Sequence, residues 1–283
     1  MRQAILCVGL LLLAGCDWED FGSSDRYSTD FHYNYPLKSG GRVSLESFNG
    51  SVEIMGWDED QVDIAGAKYG STPEARDAIR IDVTPSSDTV TIRTVRPSDR
   101  RNIGARYVVK VPHKVQLERI VTSNGSLRLS GVDGAARVKT SNGSVRAQHI
   151  GGNLDAITSN GSIEISEVKG DATVKTSNGH VKIDGVNGAV DASTSNGGVD
   201  VEVDQLHSGG VRASTSNSGI TLYLPGTVNA RLIARTSNAP VSADFDVTSR
   251  VRSDKHHLEG IIGSGGPTLD LSTSNGRIRV ARR

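Results

Sequence analysis

Cysteine is almost missing from this 283-residue chain, which has only Cys7 and Cys16. Both lie in or at the end of an apolar leader. The rest of the chain therefore has no disulfide, thiol nucleophile or Cys-based zinc site, which excludes disulfide-stapled domains, thiol enzymes and structural zinc folds. Aromatic residues make up only 4% of the chain. The repeat array described below holds a single one, Tyr223, so it offers no stacking platform for sugar rings or bases. Neither charge sign is in excess, with 32 Lys and Arg against 32 Asp and Glu. Loss of Arg2 with the leader leaves the chain about one unit negative, and no general attraction to nucleic acid or anionic lipid follows.

No apolar run is long enough for a spanning helix. Arg2 followed by Ile5 to Ala14 reads as the basic and apolar regions of a signal peptide over residues 1–15. Leu13-Ala14-Gly15-Cys16 resembles the lipobox at which bacterial lipoprotein precursors are cut and acylated. On that resemblance Cys16 is the lipid attachment site and the first mature residue. At about 0.8 kcal/mol per buried CH₂, two or three acyl chains hold such a protein on a membrane. Residues 16–30 are short, polar and acidic, suited to a flexible tether. Asp17 directly after the cysteine resembles the signal that retains lipoproteins in the inner membrane, which implies a periplasm-facing protein there.

What the chain has in abundance is a repeat. Thr-Ser-Asn recurs with Asn124, Asn142, Asn160, Asn178 and Asn196 eighteen residues apart, Asn217 and Asn238 at intervals of twenty-one, and Asn275 last. Gly follows at 125, 143, 161, 179, 197 and 276. After each marker, apolar residues alternate with polar ones, as in Leu127/Leu129, Val145/Ala147 and Ile163/Ile165. Before the next marker, a second alternation runs through Ala136/Val138, Leu154/Ala156 and Ala172/Val174. Period two is the signature of a half-buried strand. Continuing the parity places Thr140, Thr158, Thr176 and Thr194 inward and their Ser neighbours outward, which argues against an outward threonine face of the ice-binding kind.

Two architectures use such a pattern. Asn-Gly is a strong hairpin signal, so an antiparallel meander competes with a parallel solenoid. In a meander, equivalent positions are not neighbours, and nothing keeps Thr, Asn and Gly alike in every unit. In a solenoid, equivalent residues stack about 4.8 Å apart and form ladders. The expectation is therefore an all-β, parallel β-solenoid (β-helix) of roughly 18-residue coils. Its eight asparagines form a structural ladder, satisfying groups that are costly to bury at a corner, while Gly beside them supplies φ > 0. A single solenoid domain is expected over 31–283, with N-terminal cap strands over 31–118, regular repeats over 119–240, and an irregular loop plus last coil over 241–283. A short helix is expected over Pro73 to Ile79. The terminal Arg277, Arg279, Arg282 and Arg283 read as charges protecting an edge strand.

These residues resemble the bacterial "putative adhesin" family of unknown function, whose members carry tandem Thr-Ser-Asn-Gly repeats in a β-solenoid. The resemblance covers roughly residues 40 to 283. It includes Asn49-Gly50-Ser51-Val52-Glu53-Ile54 with Gly56-Trp57, the Val111-Pro112 lead-in, and Ile261 to Gly266 before the last marker. It implies an envelope or surface protein, and it transfers no catalytic residues.

Sites of chemistry are not evident in the sequence. Asp133, Asp184, Asp191, Asp200 and Asp204 fall at different repeat positions, so no acidic column emerges for glycan cleavage. His149, His180 and His207 are scattered, and His256-His257 lack a nearby Cys or paired acidic motif, so no metal and no cofactor are expected. The outward columns Arg128, Arg146, Glu164, Lys182, Asp200 and Arg137, Asp155, Thr173, Asp191, Arg212 mix signs and read as a soluble face. The leading functional expectation is a non-catalytic, lipid-anchored scaffold or adhesin that binds an envelope protein or polysaccharide and no nucleic acid. An envelope-stress sensor binding a membrane signalling partner, and a polysaccharide-active β-helix enzyme, are the alternatives.

Overall fold

The computed structural model describes residues 27–98 and 102–283. Cys16, the signal peptide and most of the tether lie outside the described residues. The tether's last four expected residues do not: a strand begins at Tyr27 and runs to Pro36.

The alternating segments form two long sheets, one of twelve strands and one of thirteen, facing each other across the core. Once the antiparallel strands at the ends are set aside, ten parallel strands remain in each sheet, one pair per coil. Pairing is parallel and in register at the eighteen-residue offset. Val145 lies beside Leu127 on one side and Ile163 on the other, and Leu154 lies beside Ala136 and Ala172. Ten coils at about 4.8 Å give a stack on the order of 45 Å long. The meander is excluded.

Parity does what the pattern requires. Val145, Ala147, Ile163, Ile165, Val181 and Ile183 are each at most 1% exposed, within a continuous hydrophobic core running from Leu37 to Val280. Fully burying a Val, Leu or Ile contributes about 1.5–3 kcal/mol, and the columns supply dozens of them. The longer units keep both strand patterns. Their extra residues fall in the loops between Val199–Glu202 and Val211–Ser214, and between Ile220–Leu224 and Ala230–Thr236.

Both ends are threaded out of sequence order. At the start, the coil formed by Arg42–Glu46 and Val52–Trp57 sits inside the one formed by Thr89–Val95 and Ile103–Pro112. At the finish, Thr268–Thr273 and Ile278–Arg282 slot between the coil of Val211–Ser214 with Ile220–Leu224 and the coil of Ala230–Thr236 with Val241–Ala243. The stretch expected as an irregular loop near 241–266 is largely an antiparallel hairpin, Val247–Ser253 with His257–Ile262, laid along Ala230–Thr236. That hairpin takes the outer edge, so the returning chain occupies the inner one. The terminal arginines are therefore not on an edge strand, because Ile278–Arg282 is paired on both sides.

The remaining cap pieces are antiparallel. Gln61–Gly70 pairs with Ile103–Pro112, and Tyr27–Pro36 pairs with Gln61–Gly70. The expected helix spans Pro73–Asp77. Thr72 caps it by accepting from the Ala75 amide, and Pro73 occupies the first turn where no amide partner is needed.

Candidate binding surface

The eight expected asparagines form one column. Asn49 of the diverged copy extends it, so nine side chains run along one corner. Asn124 Nδ2 donates to Asn49 Oδ1 at 2.7 Å and Asn142 to Asn124 at 2.6 Å. The same bond continues through Asn160, Asn178, Asn196 and Asn217 at 2.6–2.7 Å. Asn275 then donates to Asn217 at 2.9 Å and Asn238 to Asn275 at 2.7 Å, which repeats the threading order of the last coils. Every amide donates toward the N-terminal end, where Asn49 Nδ2 bonds the Ile103 carbonyl at 2.8 Å.

The ladder is not buried, contrary to expectation. From Asn124 onward each of these asparagines is exposed. The polar groups buried at this corner are the threonines, 1–9% exposed. Thr140 Oγ1 donates to the Gly125 carbonyl at 2.9 Å, and Thr158 and Thr176 repeat this with Gly143 and Gly161 at the same distance. Thr194, Thr215, Thr236 and Thr273 make the equivalent bond one coil back along the stack at 2.9–3.1 Å. A buried hydroxyl left unpaired costs about 1–3 kcal/mol, so the inward Thr is conditional on that carbonyl.

The glycine beside Asn also has a different reason from the expected one. None of Gly125, Gly143, Gly161, Gly179, Gly197 and Gly276 has positive φ; among the marker glycines only Gly50 does. What demands glycine is contact. A Cβ on Gly143 would stand 1.9 Å from the Gly125 carbonyl oxygen, and one on Gly161 1.8 Å from that of Gly143. The coils approach too closely there for any side chain.

Positive φ occurs in another column that sequence reasoning missed. Gly131, His149, Glu167 and Gly185, each eighteen residues apart, have φ of 68°, 56°, 55° and 64°. They turn the chain at the end of the strand, and the ladder skips them between Gln148/Ser166 and Ile150/Val168. Two glycines at one repeat position, 131 and 185, were the available signal.

The scattered titratable residues do not converge. His149 Nε2 meets Glu167 at 3.0 Å, His180 meets Asp200 at 3.2 Å, and His256 Nδ1 lies 2.9 Å from the Ala239 carbonyl. Among the described residues no three His, Cys, Asp or Glu side chains gather as metal ligands. The outward columns stack as expected: Arg146 pairs with Glu164 at 2.6 Å and holds its carboxyl below the usual range, and Arg137 reaches Asp155 at 3.4 Å. Such exposed pairs contribute about 0–1 kcal/mol. An open depression of about 720 Å³ lies over Arg137, Asp155, Asp171 and Thr173 on the thirteen-stranded sheet. No helix among the described residues is long and apolar enough to cross a membrane.

The profile of the Toastrack DUF4097 family matches residues 42–281, nearly the whole solenoid. The chain belongs to this family. Among curated proteins none matches it. Solved structures similar to this Toastrack chain include a "putative adhesin" from Bacteroides fragilis, at 13% identity and a TM-score of 0.47, covering 89% of this chain and 97% of that one. A "putative cell adhesion protein" from Clostridium sporogenes is similar at 12% identity and a TM-score of 0.29, covering 90% and 100%. A "putative adhesin" from Parabacteroides merdae is similar at 8% identity and 0.31, covering 89% and 96%.

Proposed function

We propose that this Toastrack protein is a non-catalytic scaffold of the bacterial envelope, held on the membrane by acyl chains on Cys16 and binding envelope proteins or polysaccharides along its rigid faces. The observation that carries the reading is the uninterrupted solenoid surface. Ten coils present regular columns of Asn, Ser and mixed charge, and the titratable groups pair locally instead of converging on one point. A regular array of hydroxyl and amide groups suits many weak contacts with an extended partner, whose sum depends on length more than on any single residue. Asp17 supports placement at the periplasmic side of the inner membrane.

Two experiments test this reading. Labelled palmitate should enter the parent chain and not Cys16→Ser. Crosslinking in intact envelopes should capture a protein or glycan on the parent chain. Failure of labelling removes the anchor, and capture of nothing, with surface attachment unchanged on deletion, removes the scaffold role.

A further inference from the structure

Each sheet has two outer edges, and three of the four are guarded. Arg80–Pro85 is short, with six residues, and carries the Arg80–Asp82 ion pair at 2.7 Å. Val241–Ala243 has three residues, and its Val241 amide is taken by the Lys255 carbonyl at 3.0 Å. Val247–Ser253 is interrupted by a register shift in its pairing. Short strands, Pro, charges and bulges are the usual means of blocking pairing with another chain.

Tyr27–Pro36 differs. It is ten residues long, pairs with Gln61–Gly70 throughout without a bulge, and has no strand on its other side among the described residues. Arg76 Nη1 lies 3.5 Å from the Ser28 carbonyl near the start of the strand. Its inward row is aromatic and incompletely covered. Phe31 packs on Tyr107 at 5.3 Å and on Tyr33 at 5.9 Å, yet Phe31, Tyr33 and Tyr35 remain half-buried and Tyr27 is 42% exposed. A long, regular edge with an unfinished aromatic row is what a neighbouring strand would complete.

The strand is also complementary to itself. Laid antiparallel on a second copy with Phe31 opposite Phe31, it places Asp30 opposite His32 and His32 opposite Asp30. The same register sets Tyr27 against Tyr35, Ser28 against Asn34 and Thr29 against Tyr33. The Asp30 carboxylate meets the His32 imidazole on both sides of the axis, a ring that also contacts Asp63 of its own chain, and Tyr27 with Tyr35 and Phe31 with Phe31 meet along the inner row, whereas a shift by two residues would set Asp30 opposite Asp30 or His32 opposite His32. We propose that this edge is a two-fold interface at which two copies join their twelve-stranded sheets into one, with Phe31 on the axis. This goes beyond the scaffold reading and does not depend on it.

Directly opposed residues on antiparallel strands have Cα atoms about 4.5–5.5 Å apart, within disulfide reach, while residues displaced by four positions are about 14 Å apart. Purified full-length chain in detergent should therefore sediment as a dimer. Phe31→Cys should form an intermolecular disulfide under mild oxidation and Thr29→Cys should not, with the parent chain run beside them to report any bond through Cys7 or Cys16. Because Phe31 contributes to the cap's packing, a second variant on the exposed face, Asp30→Lys, gives an independent reading. It should lose the dimer at least tenfold in apparent affinity while its unfolding midpoint stays within about 2 °C of a monomeric sample of the parent. A monomer at tens of micromolar, equal crosslinking at positions 29 and 31, or an Asp30→Lys chain that dimerises like the parent would each overturn the proposal.

Discussion

Replacing Gly161 by alanine should be far more damaging than a methyl group ordinarily is. The added Cβ would lie 1.8 Å from the Gly143 carbonyl oxygen, where ordinary contact begins near 3.4 Å, so the coils must part by about 1.5 Å at this corner. That same oxygen accepts the Thr158 hydroxyl at 2.9 Å, and the neighbouring Asn160 to Asn142 bond is 2.6 Å. Stranding the buried hydroxyl costs about 1–3 kcal/mol, and losing the exposed amide bond about 0.5–1.5 kcal/mol. Reduced unfolded-state entropy returns about 0.4–1 kcal/mol. A net loss of about 2–3 kcal/mol is expected, read as a lower urea midpoint followed by circular dichroism. Gly131→Ala serves as the control, because it meets nothing closer than 3.7 Å and carries only the strain of φ 68°, about 1 kcal/mol. Equal stability of Gly161→Ala and the parent, or a larger loss at Gly131, would refute the close-stacking argument.

Thr158→Val should lose about 1 kcal/mol in the same assay, since it keeps the shape and leaves the Gly143 carbonyl short of a donor, while Thr158→Ser should largely retain the bond. His149→Gly and Glu167→Gly should each stabilise by a few tenths to about 1 kcal/mol, because both residues hold positive φ and the contact between their side chains at 3.0 Å is exposed; destabilisation by either would contradict the turn argument. The hydrogen bond from Arg231, aided by His257, lowers the Glu259 carboxyl below its ordinary value. Its contribution to stability is therefore fully present above the ordinary glutamate range and lost as the pH falls from that range through the lowered folded-state value, so the parent's melting temperature should drop more steeply on the acid side than that of Arg231→Met. Superimposable acid limbs would remove that contribution.

The repeat was legible because stacking makes like residues neighbours: once Thr-Ser-Asn recurs at eighteen, parity alone identifies Val145, Ile163 and Val181 as core and the threonines as inward. The Asn column followed from the same logic, but its exposure did not, because a corner residue's depth depends on how far the backbone bulges and not on periodicity. Gly143 carried a signal for glycine without saying whether φ or contact demands it; only the distance to the next coil decides. The threading of the ends was hidden for a different reason. The marker at Asn275 fits either slot of the stack equally well, and the choice is made by the hairpin over 247–262, whose Thr, Ser and Arg content reads as a polar loop. Cys16 was read entirely from sequence and lies outside the described residues.

Parallel stacking of successive units is the claim on which the core, the threonine bonds and the asparagine column all depend. Spin labels at the exposed positions Ser123 and Ser216 measure it directly, since those residues flank the markers at Asn124 and Asn217, five coils apart along the stack. At about 4.8 Å per coil a pulsed dipolar measurement should give a narrow distribution near 24 Å; a distance near 48 Å, as ten successive antiparallel strands would produce, would contradict the solenoid.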